Sequence, residues 1–190
     1  MSASGESDLE VEVKLLLSTP EDGLRRLALA GFVQSHPRTF ESNTVYDTQA
    51  GELRSADRLL RVRIFGERVT LTYKGPTIAG RHKTREEIET ELPDSRSVPM
   101  VLERLGYVPA FRYEKYRTAF TRQGEPGEVV LDETPIGSFL EVEGPAEWID
   151  RAAVRLGFSP EDYITATYGA LYVEYVRSHP AAPAHMVFAA

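Results

Sequence analysis

Through much of this 190-residue chain, hydrophobic and charged residues alternate with a period of two, and the charged ones are sorted by sign. Leu9-Glu10-Val11-Glu12-Val13-Lys14-Leu15 puts Glu, Glu and Lys on one face of a strand and aliphatic side chains on the other. Leu60-Arg61-Val62-Arg63-Ile64 does the same with arginines. Thr70, Thr72 and Lys74 share a face, and Arg81, Lys83, Arg85, Glu87, Glu89 and Glu91 share the next. Lys115 and Arg117 follow on a fifth strand, Glu141 and Glu143 on a sixth. A half-solvated sheet accounts for any one of these strands. It does not account for the sorting, because like charges two apart on one face repel by roughly a few tenths of a kcal/mol. Paired carboxylates suit a hard divalent cation with oxygen ligands, Mg²⁺ or Mn²⁺. Clustered Arg and Lys suit a polyanion.

A faint internal repeat extends the pattern. A strand with paired acids, a helix, an Ala-Gly-Phe-Val entry into a further strand and a later Leu-Arg-Val-Arg strand recur as Glu87/Glu89, a helix, Leu-Gly-Tyr-Val and Leu-Glu-Val-Glu, about 75 to 80 residues on. Two such units predict roughly eight strands, a number that closes into a barrel. Charged faces turned inward would then line a hydrated bore, and the apolar faces would point outward to be covered by helices. The expected fold is α+β: an eight-stranded antiparallel β-barrel with helices packed on the outside.

Four helices are predicted. Thr19 caps the first, with Pro20 at its start, Glu21 and Asp22 at its positive end, a stripe of Leu24, Leu27 and Ala28, and Gly31 as its stop. Ser97 to Leu105 carries Val98, Val101, Leu102 and Leu105 before Gly106; Pro145 to Leu156 carries Ile149, Ala152, Ala153 and Leu156 before Gly157. The fourth, from Thr167 to Arg177, is aromatic-rich and follows a Ser159-Pro160-Glu161-Asp162 turn. No linker divides the chain, so residues 1–8 read as a frayed N-terminus, 9–177 as one domain and 178–190 as a tail.

Several function classes fall away. The formal charge of −7 gives no global attraction for nucleic acid or an anionic membrane, so neither is an expected partner, and any bound anion needs a local cationic site. There is no cysteine, hence no thiolate nucleophile, disulfide or zinc ribbon. No run reaches the ~20 apolar residues of a membrane span and the first residues lack a signal-peptide pattern, so the expected location is cytoplasmic. His36, His82, His179 and His185 show no metal spacing, Lys74-Gly75-Pro76 is no P-loop, and Trp148 reads as a packing anchor. Helix faces and barrel edges would allow a homodimer, on which the sequence is silent.

The N-terminal Glu10-x-Glu12-x-Lys14 resembles the signature of the CYTH superfamily, the triphosphate tunnel metalloenzymes, which include class IV adenylyl cyclases and thiamine triphosphatases. The run from Asn43 through Tyr46, Asp47 and Thr48 resembles further family blocks, as do Arg61-x-Arg63, Lys74, Arg85 with Glu87 and Glu89, Lys115-x-Arg117, Asp132 and Glu141-x-Glu143, in order over residues 9 to 176. The resemblance implies a barrel in which Lys14, Arg61, Arg63, Lys74, Arg85, Lys115 and Arg117 grip a triphosphate. It also implies Mg²⁺ or Mn²⁺ on Glu10, Glu12 and Glu143, with Asp132 and Glu141 as further candidate ligands and Glu87 and Glu89 in support. Glu10, Glu12 and Lys14 are the catalytic candidates. The C-terminal helix departs from the family pattern, since Thr167-Tyr168-Gly169-Ala170 lacks the polar residue expected next. The implied activity is hydrolysis of inorganic triphosphate or a small organic triphosphate such as thiamine triphosphate. Cyclisation of ATP to cyclic AMP and pyrophosphate is the first alternative and non-catalytic polyphosphate or nucleotide binding the second. An adenine slot is not evident: Phe40, Tyr46, Tyr73 and His82 are the aromatic candidates, and each reads better as a barrel-exterior or loop residue.

Overall fold

The computed structural model of the chain describes residues 8–189. In chain order it contains β1 (Asp8–Leu17), α1 (Pro20–Leu29), β2 (Val33–Asp47), α2 (Glu52–Ser55), β3 (Leu59–Phe65), β4 (Arg68–Lys74), β5 (Lys83–Leu92) and α3 (Ser97–Arg104). It continues with β6 (Val108–Thr121), β7 (Glu128–Thr134), β8 (Gly137–Glu143), α4 (Ala146–Arg155), a 3-10 turn at Pro160–Asp162, and α5 (Tyr168–Ser178). The strands close into an antiparallel barrel in the order β1-β5-β4-β3-β2-β6-β7-β8. The α+β barrel expected from the alternation is the one the chain forms.

The packing is turned inside out relative to a filled barrel. The largest apolar cluster lies between the outer faces of β1, β7 and β8 and helices α1 and α4. It joins Val13, Leu15, Val129, Leu131, Leu140 and Val142 to Leu27, Trp148, Ile149, Ala152 and Leu156. Each such fully buried aliphatic side chain contributes about 1.5–3 kcal/mol, so the outside of the barrel carries most of its stability. A second cluster packs α5 against Tyr113 and Phe139, and a third packs Leu102 of α3 on Val62 and Val69.

The helices start and stop on the residues that predict them, but two turn a different face to the barrel. Thr19 accepts the amide of Asp22 at 3.2 Å, and Gly31 and Gly157 follow α1 and α4 with φ of +77° and +83°. In α1, Gly23 and Leu27 are buried while Leu24 and Ala28 face solvent; in α3, Leu102 is buried and Val101 and Leu105 are exposed. A glycine at position 23 lets α1 approach Leu17 closely, since a Cβ there would overlap that side chain.

The register brings the charged faces into one bore. Glu12 stands opposite both Lys83 and Glu143, Lys14 opposite Glu141, Lys74 opposite Glu87, Arg61 opposite Thr72 and Arg117 opposite Asp132. The strand-helix-long strand-hairpin order does occur twice, but Leu-Arg-Val-Arg opens the first hairpin (β3) and Leu-Glu-Val-Glu closes the second (β8), so those two segments are not equivalent. Arg81 lies before β5 rather than on it and pairs with Asp150 of α4.

The C-terminal segment completes two seams. Where β5 no longer accompanies β1, Lys14 and Ile164 exchange two backbone hydrogen bonds at 2.9 Å each. Where β7 does not reach the first half of β6, Met186 accepts from the Glu114 amide at 2.8 Å and donates to the Arg112 carbonyl at 3.1 Å. Met186 is fully buried, and Phe188 packs on Tyr116. His185, Met186 and Phe188 therefore belong to the packed molecule rather than to a loose tail. The reading of residues 1–8 as frayed lies outside the described residues except for Asp8, which begins β1.

Candidate active site

A cavity of about 940 Å³ runs inside the barrel. Of the residues singled out by sequence, Glu10, Glu12, Lys14, Arg61, Arg63, Lys74, Arg85, Glu87, Glu89, Lys115, Arg117, Glu141 and Glu143 all line it. Asp132 stands just behind, fully buried. Alternation explains the convergence: these residues take every second position along their strands, and on β1, β7 and β8 the other face is committed to the outer cluster.

Two groups of ion pairs divide the bore. On the β1, β4 and β5 side, Lys14 Nζ donates to Glu12 Oε1 at 3.0 Å, and Lys83 bonds the same oxygen. Lys74 bonds Glu10 and lies 3.0 Å from Glu87. On the β6, β7 and β8 side, Lys115 Nζ donates to Asp132 Oδ2 at 2.7 Å, and Arg117 grips the same carboxylate through Nε at 2.8 Å and Nη2 at 2.7 Å. Glu141 joins the groups, 3.1 Å from Lys14 and hydrogen-bonded by Arg117. On the β3 wall, Arg61 donates to Tyr113 Oη at 3.1 Å and to Thr72 Oγ1 at 3.2 Å, and Thr72 donates onward to Glu89 at 2.8 Å. Among the described residues Arg63 makes only long pairs, 3.9 Å to Glu89 and 4.0 Å to Glu41.

The field inside is strong and unevenly balanced. Burial disfavours the charge on Glu12, but Lys14 and Lys83 override it and hold the carboxyl well below the usual range. Glu141 is held low in the same way by Lys14, Lys115 and Arg117. Lys14 is raised, burial being outweighed by Glu12 and Glu141; Lys83 is lowered, because burial wins there. At the mouth the balance reverses. Burial and the neighbouring Glu12 raise Glu10, and Glu143, exposed at the rim but crowded by the surrounding protein and then by Glu10 and Glu12, is pushed up to about 7. Glu143 has no ion-pair partner among the described residues.

Arg85 differs from the reading that gives it to the phosphate grip. Its Nε donates to the Gly75 carbonyl at 2.8 Å and its Nη2 to the Asp57 carbonyl at 3.0 Å, so the guanidinium is spent on holding two loops at the barrel edge. Lys83, its neighbour on the same face, reaches the carboxylates instead. Sequence reasoning also passed over Glu41, fully buried beside Lys115 and Arg117, and Tyr113. Tyr168 opens α5, donates to Asp132 Oδ2 at 2.8 Å and presents its ring to Lys14 and Lys115, 5.2 and 5.0 Å from its centroid. The signal for Tyr168 was the Thr167 cap, which accepts the Ala170 amide at 3.1 Å and fixes where the helix begins.

The aromatic candidates for a base slot are elsewhere. Phe40 packs on Tyr116, Tyr46 lies in the cluster under α3, Tyr73 is absent from the cavity lining, and His82 bonds Asp150 at 2.9 Å.

The sequence matches the model of the CYTH domain over residues 8–168. It is 29% identical over 136 residues, 71% of this chain and 76% of the relative, to a Methanocaldococcus jannaschii protein provisionally named an adenylate cyclase. Among solved structures, a Vibrio parahaemolyticus protein with the same provisional name superposes with a TM-score of 0.76 at 19% identity, over 88% of this chain and 99% of the other. A Hippeastrum protein, provisionally an adenylyl cyclase and reported to have a dominant triphosphatase activity, superposes with a TM-score of 0.62 at 20% identity, over 88% and 95%. A closed barrel of this strand order, a bore lined by the expected acids and bases, and a domain match spanning most of the residues together make this chain a member of the CYTH domain family.

Proposed function

We propose that the chain is a triphosphatase that hydrolyses inorganic or small organic triphosphates inside the barrel with a divalent cation, Mg²⁺ or Mn²⁺. The observation that carries this reading is the set of cations, Lys14, Arg61, Arg63, Lys74, Lys115 and Arg117, that line one cavity while acids gather at its mouth. Phosphoryl transfer to water passes through a loose transition state, so positioning and charge neutralisation provide most of the rate and no protein nucleophile is needed. Arg61 and Arg63 would receive phosphate oxygens from the β3 wall and Lys115 and Arg117 from β6. Asp132 holds the latter two in place from behind.

The donor set fits a hard cation in chemistry more than in its present arrangement. Among the described residues no three acids stand close enough to form a ligand shell, and Glu10 and Glu12 are drawn onto lysines. Yet Glu12 and Glu143 face each other across the β1–β8 ladder, and burial together with the neighbouring carboxylates raises Glu10 and Glu143, an environment that a bound cation would relieve. Glu10, Glu12 and Glu143 would hold the cation, and Asp132 and Glu141 act as anchors for Lys115, Arg117 and Lys14. A bound Mg²⁺ or Mn²⁺ supplies Lewis acidity toward phosphate oxygens and acidifies a coordinated water.

Cyclisation of ATP is the second reading, favoured by the provisional name of the Methanocaldococcus relative. Against it, the aromatic rings in the cavity lining are Tyr113 and Tyr168, and both hydroxyls are already engaged. A panel of inorganic triphosphate, thiamine triphosphate, ATP and GTP with each metal separates the readings. Orthophosphate release supports hydrolysis; cyclic AMP with pyrophosphate from ATP overturns it. Under the proposal Glu10→Ala, Arg61→Ala and Lys115→Ala each lower turnover or triphosphate binding at least about tenfold.

A further inference from the structure

Glu41 of β2 is an acid that the proposed reaction does not use. It is fully buried. Lys115 Nζ lies 3.5 Å and Arg63 Nε 4.0 Å from its Oε1, and Arg117 Nε lies 3.9 Å from its Oε2. Among the described residues its hydrogen bond comes from Asn43 Nδ2, at 2.9 Å to Oε1; Oε2 has none. Asp132 is the contrast. It binds Lys115 and Arg117 at 2.7–2.8 Å and so fixes where they stand, whereas Glu41 faces the same cations from beyond hydrogen-bond reach. Its effect on them is a field rather than a tether.

That field opposes any anion the cations take up. A buried carboxylate with an unpartnered oxygen is also expensive to keep, so its position beneath the grip calls for a reason. We propose that Glu41 is a resident counter-ion that weakens the barrel's hold on phosphate groups and thereby keeps product release fast. The inference rests on the phosphate-binding reading above. Asn43 provides an independent lever: it is fully buried, touches Glu41, and its Oδ1 also lacks a partner, so Asn43→Asp adds a second negative charge at the same place.

The test is calorimetric binding of inorganic triphosphate and of diphosphate to the full chain with a chelator present. Glu41→Gln is expected to bind both at least about tenfold more tightly and Asn43→Asp at least about tenfold more weakly, the scale of one unit charge at these separations. In steady state with metal, Glu41→Gln lowers KM and kcat together and becomes sensitive to inhibition by diphosphate, while Glu41→Asp restores wild-type behaviour. Unchanged affinities with a lowered melting temperature describe a residue that only fills the wall, and overturn the proposal; so does weaker binding by Glu41→Gln. If Glu41→Gln does not fold, Asn43→Asp decides alone, and unchanged or tighter binding overturns the idea. A wild-type chain that binds neither anion, in chelator or with Mg²⁺, overturns the phosphate reading as well, an outcome visible before any variant is made.

Discussion

Lys83 and Arg85 stand two residues apart on one face of β5, yet only the lysine reaches the carboxylates; the arginine is taken up by the carbonyls of Gly75 and Asp57. The sequence pattern treats the two alike, because what separates them is the position of two loops closed from elsewhere in the chain. Arg85→Ala is therefore expected to lower stability by about 1–3 kcal/mol through the orphaned carbonyl of buried Gly75, with triphosphate affinity changed less than about threefold, as read by urea melts and calorimetry. Glu143 behaves in the opposite way, a carboxyl raised by the crowding of its surroundings and then by the carboxylates of Glu10 and Glu12. With its carboxyl pushed up to about 7 it is ionised only above that pH, and a cation binds the ionised form. The Mg²⁺ or Mn²⁺ concentration for half-activation is expected to rise as pH falls from 8 to 6, by up to about tenfold per unit below 7, and Glu143→Gln should flatten the dependence. A flat profile in the wild type would remove Glu143 from the proposed cation site.

At the level of elements, legibility followed the use of both faces. β1, β3 and β8 alternate visibly because one side is charged and the other is buried under helices. β2 hides its contribution. Its Val33–Asp47 run includes Ser, His, Pro and Thr where an aliphatic face would stand, and its register shifts at Gln34/His36, His36/Thr39 and Val45/Tyr46 break the period. Glu41 sits in that run, and its partners come from β3 and β6. The final residues were equally opaque: Met186, Val187 and Phe188 are an apolar triplet in an Ala- and Pro-rich stretch, too short for periodicity to register. Met186→Ala should cost about 2–4 kcal/mol, measurable as a lower urea midpoint. Another close fit lies where α4 meets the barrel, since a Cβ on Gly127 would overlap the Trp148 ring and approach the Glu143 carbonyl. Gly127→Ala is expected to destabilise by about 1–3 kcal/mol, and Trp148 fluorescence should report the displaced ring.

For the whole molecule, two sets of acids pull stability in opposite directions with pH. Glu12, Glu41 and Glu141 are held below their ordinary value of 4.5, so the stability they contribute is present above that pH and is lost as pH falls below it. Glu10 and Glu143 are raised, so their contribution is present below 4.5 and is lost as pH rises, for Glu143 through about 7. The metal-free chain should therefore be most stable near pH 4.5, where the two sets cross, and its alkaline fall should level off above about 7. Urea melts from pH 4 to 9 in chelator are expected to show a fall on both sides, and added Mg²⁺ should cancel the fall on the alkaline side alone. The barrel class, and the residues that line it, were readable because a charged bore and an oily exterior leave opposite marks on neighbouring positions. That arrangement also limits how the strands can lengthen. Between Glu12 and Leu17 the ladder with β8 runs without a slip, and there an extra single residue would reverse parity, sending Val13 and Leu15 into the charged lumen and ions into the grease beneath the helices. Insertions in pairs keep the two environments apart, so homologues of different strand length should differ there by even numbers.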